Sequence, residues 1–211
     1  MPARLRPTAP IAADAILVGD PGRALMLAQV LLEQPKMSNH ARGLWGYGGV
    51  TPKGDELTIQ STGMGGPSAA VVLADLAELG VRRAIRIGTC ASLGELGLGD
   101  LLIVAEARTP AGGSVHPDRE LSEALSRSLP DAQTGVAVSL DSLHDPERGR
   151  PSVLAEAADM QTAALLGTAA ELEVAAAALL IVAERSDSGR LRDEDLEEVA
   201  KRVGRAASAL L

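Results

Sequence analysis

With 211 residues, 46% of them hydrophobic but only one Trp, one Tyr and no Phe, the chain has the length of one domain; its core must be Ala, Val, Leu and Ile, and a pocket in it has few aromatic platforms. A net charge of −8, a pI of about 4.9 and the lack of a dense basic stretch argue against a nucleic-acid partner. One cysteine, Cys90, excludes an intramolecular disulfide, and neither a membrane-spanning apolar run nor a signal-peptide pattern is visible, so a cytoplasmic protein is expected.

Short β-prone runs alternate with helical patterns along the chain. Residues 15–19 (AILVG) read as a buried strand, followed by the turn DPGR and a helix through ALMLAQVLLEQ. Residues 43–62 (GLWGYGGVTPKGDELTIQST) read as a hairpin that turns at Pro52–Asp55. GMGGPS then leads into a helix, AAVVLADLAELG, closed by Gly80. Residues 84–88 (AIRIG) form a strand that ends in the loop TCASLGELGLGD, and residues 101–107 (LLIVAEA) form another. A helix (ELSEALSRSL), a strand at 134–140 (TGVAVSL), a loop at 145–152 and a helix (AADMQTAALLGTAAEL) follow. A last core strand (AAAALLIVAE) and an amphipathic helix (DEDLEEVAKRVGRAASALL) complete the order. The alternation predicts a single-domain α/β layered fold over residues 1–211, with an open, mostly parallel twisted sheet flanked by helices and ligands at the carboxyl ends of its strands.

Four stretches, three of them at such ends, carry polar chemistry. In GDPGR, Gly19 lets an anion approach the backbone, the following helix offers unpaired N–H groups, and Arg23 adds a fork of donors. A plain strand–turn–helix connection explains the same residues. In AIRIGTC, Arg86 sits between Ile85 and Ile87 in a strand buried on both faces, so it needs an anionic partner. That partner is an internal carboxylate or a bound phosphate; the place beside Gly88 and Thr89 at the strand's end favours phosphate. In STGMGGPS, Met64 either packs on a sugar ring or fills a core gap. In ADMQTAALLG, Asp159 and Gln161 flank Met160 at a helix start, which an ordinary helix N-terminus also explains. His40, His116 and His144 lack the pairing a zinc site needs, and neither a G-x-S-x-G elbow nor a Walker A pattern is present.

Together and in this order, GDPGR (19–23), NHARGLWGYGG (39–49), STGMGGPS (61–68), GVRRAIRIGTCASLG (80–94) and DMQTAALLGTAAE (159–171) resemble the purine nucleoside and uridine phosphorylase family of trimeric or hexameric enzymes. The resemblance implies phosphorolysis, in which a nucleoside and inorganic phosphate give free base and pentose 1-phosphate, with no cofactor beyond phosphate as co-substrate and no metal. It implies phosphate-binding roles for Gly19, Arg23, Arg86 and Thr89. Arg42 matches an arginine that serves the neighbouring subunit's site, hence a homo-oligomer. Met64, Met160 and Gln161 match the ribose site. Leu143, Asp159 and Glu184 fall at the base, with Arg86 and Glu184 as catalytic groups and Glu184 as proton donor to a purine.

The sequence departs from the family pattern at several points. The family's Glu-Met-Glu reads Asp159-Met160-Gln161 here, Arg4 or Leu5 stands where a histidine is usual, and the segments after Thr109 and Asp141 are shortened. Glu147, Arg148 and Arg150 tilt the expectation slightly toward a uridine-type substrate. Two other readings stay open. Hydrolysis, as in nucleosidases of the same fold, is disfavoured by the three arginines. A non-catalytic nucleoside or phosphate binder is kept in view by Gln161 and the short loops.

Overall fold

The computed structural model describes residues 4–142 and 154–211. In chain order its elements are β1 (Asp14–Val18), α1 (Pro21–Leu31), β2 (Glu33–Asn39), a 3-10 turn (Ala41–Gly43), β3 (Gly46–Val50), β4 (Glu56–Ser61), α2 (Gly66–Glu78), β5 (Arg83–Ser92), β6 (Leu101–Arg108), β7 (Ser114–Val115), α3 (Arg119–Ser128), β8 (Gln133–Ser139), β9 (Ala157–Asp159), α4 (Thr162–Glu171), β10 (Ala175–Arg185), β11 (Gly189–Arg190) and α5 (Asp193–Ser208). The α/β alternation expected from the apolar periodicity is present, with helices on both sides of the sheet.

The central strands pair in parallel as expected, but the sheet is not open. β10 lies between β5 (parallel) and β6 (antiparallel), β6 pairs with β8 and β8 with β9 (both parallel), and β9 returns antiparallel to β5. These five strands therefore close on themselves, and β1, β4, β3 and β2 extend from β5 as a wing. Closure is possible because β5 is ten residues long: Arg83–Ile87 pair with β1, while Ala91 and Ser92 reach β9. It removes edges that would otherwise be unpaired.

Three local expectations also shift. α1 stops at Leu31, because Gln34 takes φ 48° and Pro35 follows, and residues 33–39 become the outer strand of the wing. Thr89 and Cys90 belong to β5, not to the loop after it. Residues 157–159 form β9 and not the start of a helix, because their backbone groups bridge β5 and β8; α4 begins only at Thr162.

Side chains alternate across the sheet. Ile16, Ile85, Ile87 and Leu179 pack beneath α1, α3 and α5 with Leu27, Leu125 and Val203. Leu17, Ala84, Cys90 and Leu180 face α2 and α4 with Leu73, Leu76, Leu165 and Leu166. The period of two therefore places Arg86 and Gly88 on the second face, between Ala84 and Cys90. α1 and α2 start just beyond the carboxyl ends of the parallel strands β1 and β4, and β9, antiparallel to β5, turns the start of α4 back to the same rim, where Gly63 and Gln161 both stand against Gly19.

Candidate active site

At this rim lies a cavity of about 520 Å³. The β1–α1 turn contributes Gly19, Asp20, Pro21 and Arg23, and the β4–α2 loop contributes Gly63, Met64 and Gly65. β5 contributes Arg86, Gly88 and Thr89; Met160 and Gln161 come from the β9–α4 turn, and Arg190 from β11. Seven residues singled out in the sequence, Gly19, Arg23, Met64, Arg86, Thr89, Met160 and Gln161, thus line one cavity.

The β1–α1 turn is built by a local cap. The Asp20 carboxylate accepts from the backbone N–H of Arg23 at 2.7 Å, and Pro21 occupies the first turn, where its missing N–H costs nothing. Burial and the charge of Arg86 hold the Arg23 guanidinium below its ordinary pKa, and Asp20 pulls the other way. Two cations facing one cavity in this way favour an anion between them.

Arg86 is 3% exposed and anchored by three side chains from the β9–α4 turn. Its Nη2 donates to Asp159 Oδ2 at 2.9 Å, its Nη1 to Gln161 Oε1 at 2.8 Å, and its Nε to Thr162 Oγ1 at 3.1 Å. A guanidinium has five N–H donors, so one on each Nη is left beyond these three bonds. Of the two partners foreseen for Arg86, the internal carboxylate is present, and the arginine still lines the cavity. Its course depends on Gly88, two residues along the same face. A Cβ there would lie 2.6 Å from Arg86 Nη2 and 2.8 Å from Leu180 Cδ2. Only a glycine leaves room for the guanidinium to fold back.

Asp159, expected at the base, takes a different place. It is 1% exposed, and besides Arg86 it accepts from the Gln161 and Thr162 amides, from Thr162 Oγ1 at 2.6 Å and from Ser139 Oγ at 2.5 Å. With both oxygens engaged it sits behind the cavity and serves Arg86. Gln161, expected to grip sugar hydroxyls, has its amide engaged internally as well, because Nε2 donates to the carbonyls of Gly63 and Gly65.

Other expected residues lie away from the cavity. Arg42 is on the exposed 3-10 turn with φ 61°, outside this chain's cavity lining. Glu184, at the end of β10, pairs with Arg190 at 3.2 Å and so reaches the cavity only through that arginine. The backbone amides of Arg4 and Leu5 donate to Asp75 in α2. Leu143, His144, Glu147, Arg148 and Arg150 lie outside the described residues.

Sequence reading missed Thr162, Ser139 and Arg190, and took Gly88 only as a mark of the strand's end and not as the space Arg86 folds into. Gly88 had a signal, a glycine two positions after a buried strand arginine; Arg190 had none. Cys90, on the same face, has its thiol pKa pushed far up by burial and by the charge of Asp159, with Arg86 opposing. Among the described residues no group of three or more His, Cys, Asp or Glu side chains is placed to hold a metal ion, and no helix is long and apolar enough to cross a membrane.

A family model described as the phosphorylase superfamily matches residues 14–211. The chain is 31% identical over 199 residues to a DeoD-type purine nucleoside phosphorylase of Alkaliphilus metalliredigens, covering 85% of each chain. It is 33% identical over 201 residues to the protein of the same name from Caldanaerobacter subterraneus subsp. tengcongensis, again covering 85% of each. The crystal structure of purine nucleoside phosphorylase from Toxoplasma gondii in complex with immucillin-H superposes with a TM-score of 0.83 over 94% of this chain and 91% of that one. At 21% identity this last likeness is one of fold. All three are named purine enzymes, so the slight expectation of a uridine-type substrate finds no support.

Proposed function

The chain belongs to the phosphorylase superfamily, and from that premise we propose that it cleaves a purine nucleoside with inorganic phosphate to free base and pentose 1-phosphate. The observation that carries this reading is the pairing of Arg23 and Arg86 in one cavity with the N-terminus of α1, next to Met64 and Met160. Phosphate is held by Arg23, by the spare N–H groups of Arg86, by Thr89 and by the backbone beside Gly19. Met64 and Met160 flank the sugar, so the nucleophilic oxygen lies close to the anomeric carbon. As the glycosidic bond loosens, the bound phosphate charge stabilises the cationic sugar, and the arginines keep the phosphate in place. Glu184, released from Arg190 and protonated from solvent, donates that proton to the departing purine and is left as the carboxylate. Arg42 projects from a turn outside this chain's own cavity and serves the site of a neighbouring subunit in a homo-oligomer.

The test is base release from inosine, adenosine and uridine, with and without phosphate. Purine release that requires phosphate is expected. Release without phosphate identifies a nucleosidase, bound phosphate without release identifies a non-catalytic relative, and uridine cleavage alone overturns the purine assignment. Arg23→Ala is expected to raise the KM for phosphate about ten- to a hundredfold, the worth of one or two charge-assisted hydrogen bonds. Light scattering that shows only monomer at micromolar concentration overturns the role given to Arg42.

A further inference from the structure

Gln161 is 4% exposed and stands between β5 and the β4–α2 loop. Its Oε1 accepts from Arg86 Nη1 of β5 at 2.8 Å and lies 3.1 Å from the hydroxyl of Thr62, the residue after β4, which also has the Val18 carbonyl within reach. Toward the loop its Nε2 donates to the Gly63 carbonyl at 2.8 Å and to the Gly65 carbonyl at 3.3 Å. Both N–H groups of the amide are thus engaged within the protein, and its oxygen is held by Arg86, with the single Thr62 proton divided between it and the Val18 carbonyl. The loop it holds turns through positive φ at Gly63 (73°) and Gly65 (83°), carries Met64 outward at 80% exposure and leads into α2.

We propose that Gln161 is a positioning residue: it clamps the Arg86 guanidinium and the Gly63–Gly65 loop into one unit and does not hold the sugar hydroxyls. The proposal rests on the phosphorolysis reading for its assignment of an anion to Arg86. It rests on geometry alone for the loop. The clamp needs an amide and not a carboxylate. A glutamate keeps the acceptor for Arg86 and Thr62, but turns its second oxygen toward two carbonyl oxygens and leaves their hydrogen bonds unmade. It also sets a second negative charge beside Asp159 on Arg86, which weakens the attraction for an incoming anion. A methionine of similar length removes both halves of the clamp and leaves Arg86 its bonds to Asp159 and Thr162.

Hydrogen exchange of the ligand-free protein reads the loop, calorimetric titration with inorganic phosphate reads the anion site, and steady-state kinetics compare a ribonucleoside with its 2′-deoxy analogue. In both Gln161→Glu and Gln161→Met the amides of Thr62 and Ala69, which flank the loop and donate to the Val18 and Gly65 carbonyls, are expected to exchange about tenfold faster, the worth of one or two lost hydrogen bonds. Phosphate binding is expected to weaken about tenfold or more in Gln161→Glu and less than about threefold in Gln161→Met. The ratio of kcat/KM between ribo- and deoxyribonucleoside is expected to stay within about twofold of wild type in Gln161→Met. Unchanged loop exchange in both variants overturns the clamp. A ratio that falls about tenfold overturns it as well, because the amide then holds a hydroxyl. If the wild type binds no phosphate, the phosphorolysis reading fails while the exchange measurement still decides the clamp. If Gln161→Met does not fold, Gln161→Asn, too short to reach both sides, replaces it in every arm.

Discussion

Asp159→Asn tests whether the buried pair organises the site. Arg86 and Asp159 are 3% and 1% exposed, with 2.9 Å between Nη2 and Oδ2. Asparagine keeps the shape, and its least harmful orientation places the NH₂ toward Ser139 Oγ, which already accepts from the Ala163 amide at 2.8 Å. The remaining oxygen still meets Arg86 and Thr162, but the countercharge is gone. Removing one partner of a buried pair costs about 3–5 kcal/mol; the retained neutral hydrogen bonds favour the lower end, about 3 kcal/mol. For a domain of this size that corresponds to a fall in Tm of roughly 6–12 °C. Phosphate is expected to restore part of it, because an anion in the cavity replaces the missing charge. At a hundred times its Kd a ligand adds about 2.7 kcal/mol, and the uncompensated Arg86 lowers that Kd. Differential scanning calorimetry of wild type and variant, across a phosphate series at constant ionic strength, measures both effects. A fall in Tm below about 2 °C, or a smaller phosphate-induced rise in the variant than in wild type, refutes the reasoning.

Gly88→Ala is expected to cost about 1–3 kcal/mol, because the new Cβ meets both the Arg86 guanidinium and Leu180, and to weaken phosphate binding; calorimetry reads both, and wild-type values mean that Arg86 does not depend on that space. Glu184→Gln is expected to lower kcat on a purine nucleoside about a hundredfold with phosphate affinity unchanged; an unchanged kcat means that the proton comes from elsewhere. Cys90 is expected to resist iodoacetamide at pH 8.5 in the native protein and to react once unfolded, since burial keeps the thiol protonated well above its ordinary range. Rapid labelling by mass spectrometry before unfolding overturns that. The sign also sets a stability trend: the unfolded thiol ionises first as pH rises, so this group's contribution favours the unfolded chain at high pH.

The features legible in the sequence depend on neighbours a few residues apart. The apolar runs Ala15–Val18 and Leu179–Val182 marked central strands because only a doubly buried strand is apolar on both faces. Asp20 and Pro21 marked the start of α1 because a cap and a first-turn proline act within one turn. Pro52–Asp55 marked the hairpin for the same local reason. Gly19, Arg23, Arg86 and Thr89 were placed together by a general rule for loops at strand ends, and they do share a cavity. Tertiary structure decided what depends on distant partners. β9 looked like the first turn of a helix until its pairing with β5 and β8 claimed its backbone. The sheet closes because β10 finds β5 and β6, and β9 finds β5, from positions far apart in the sequence. A buried arginine announces the need for an anion but not its identity. Asp159 lies 73 residues away and Gln161 lies 75, and only the packing of the β9–α4 turn against β5 makes one the countercharge and the other a clamp.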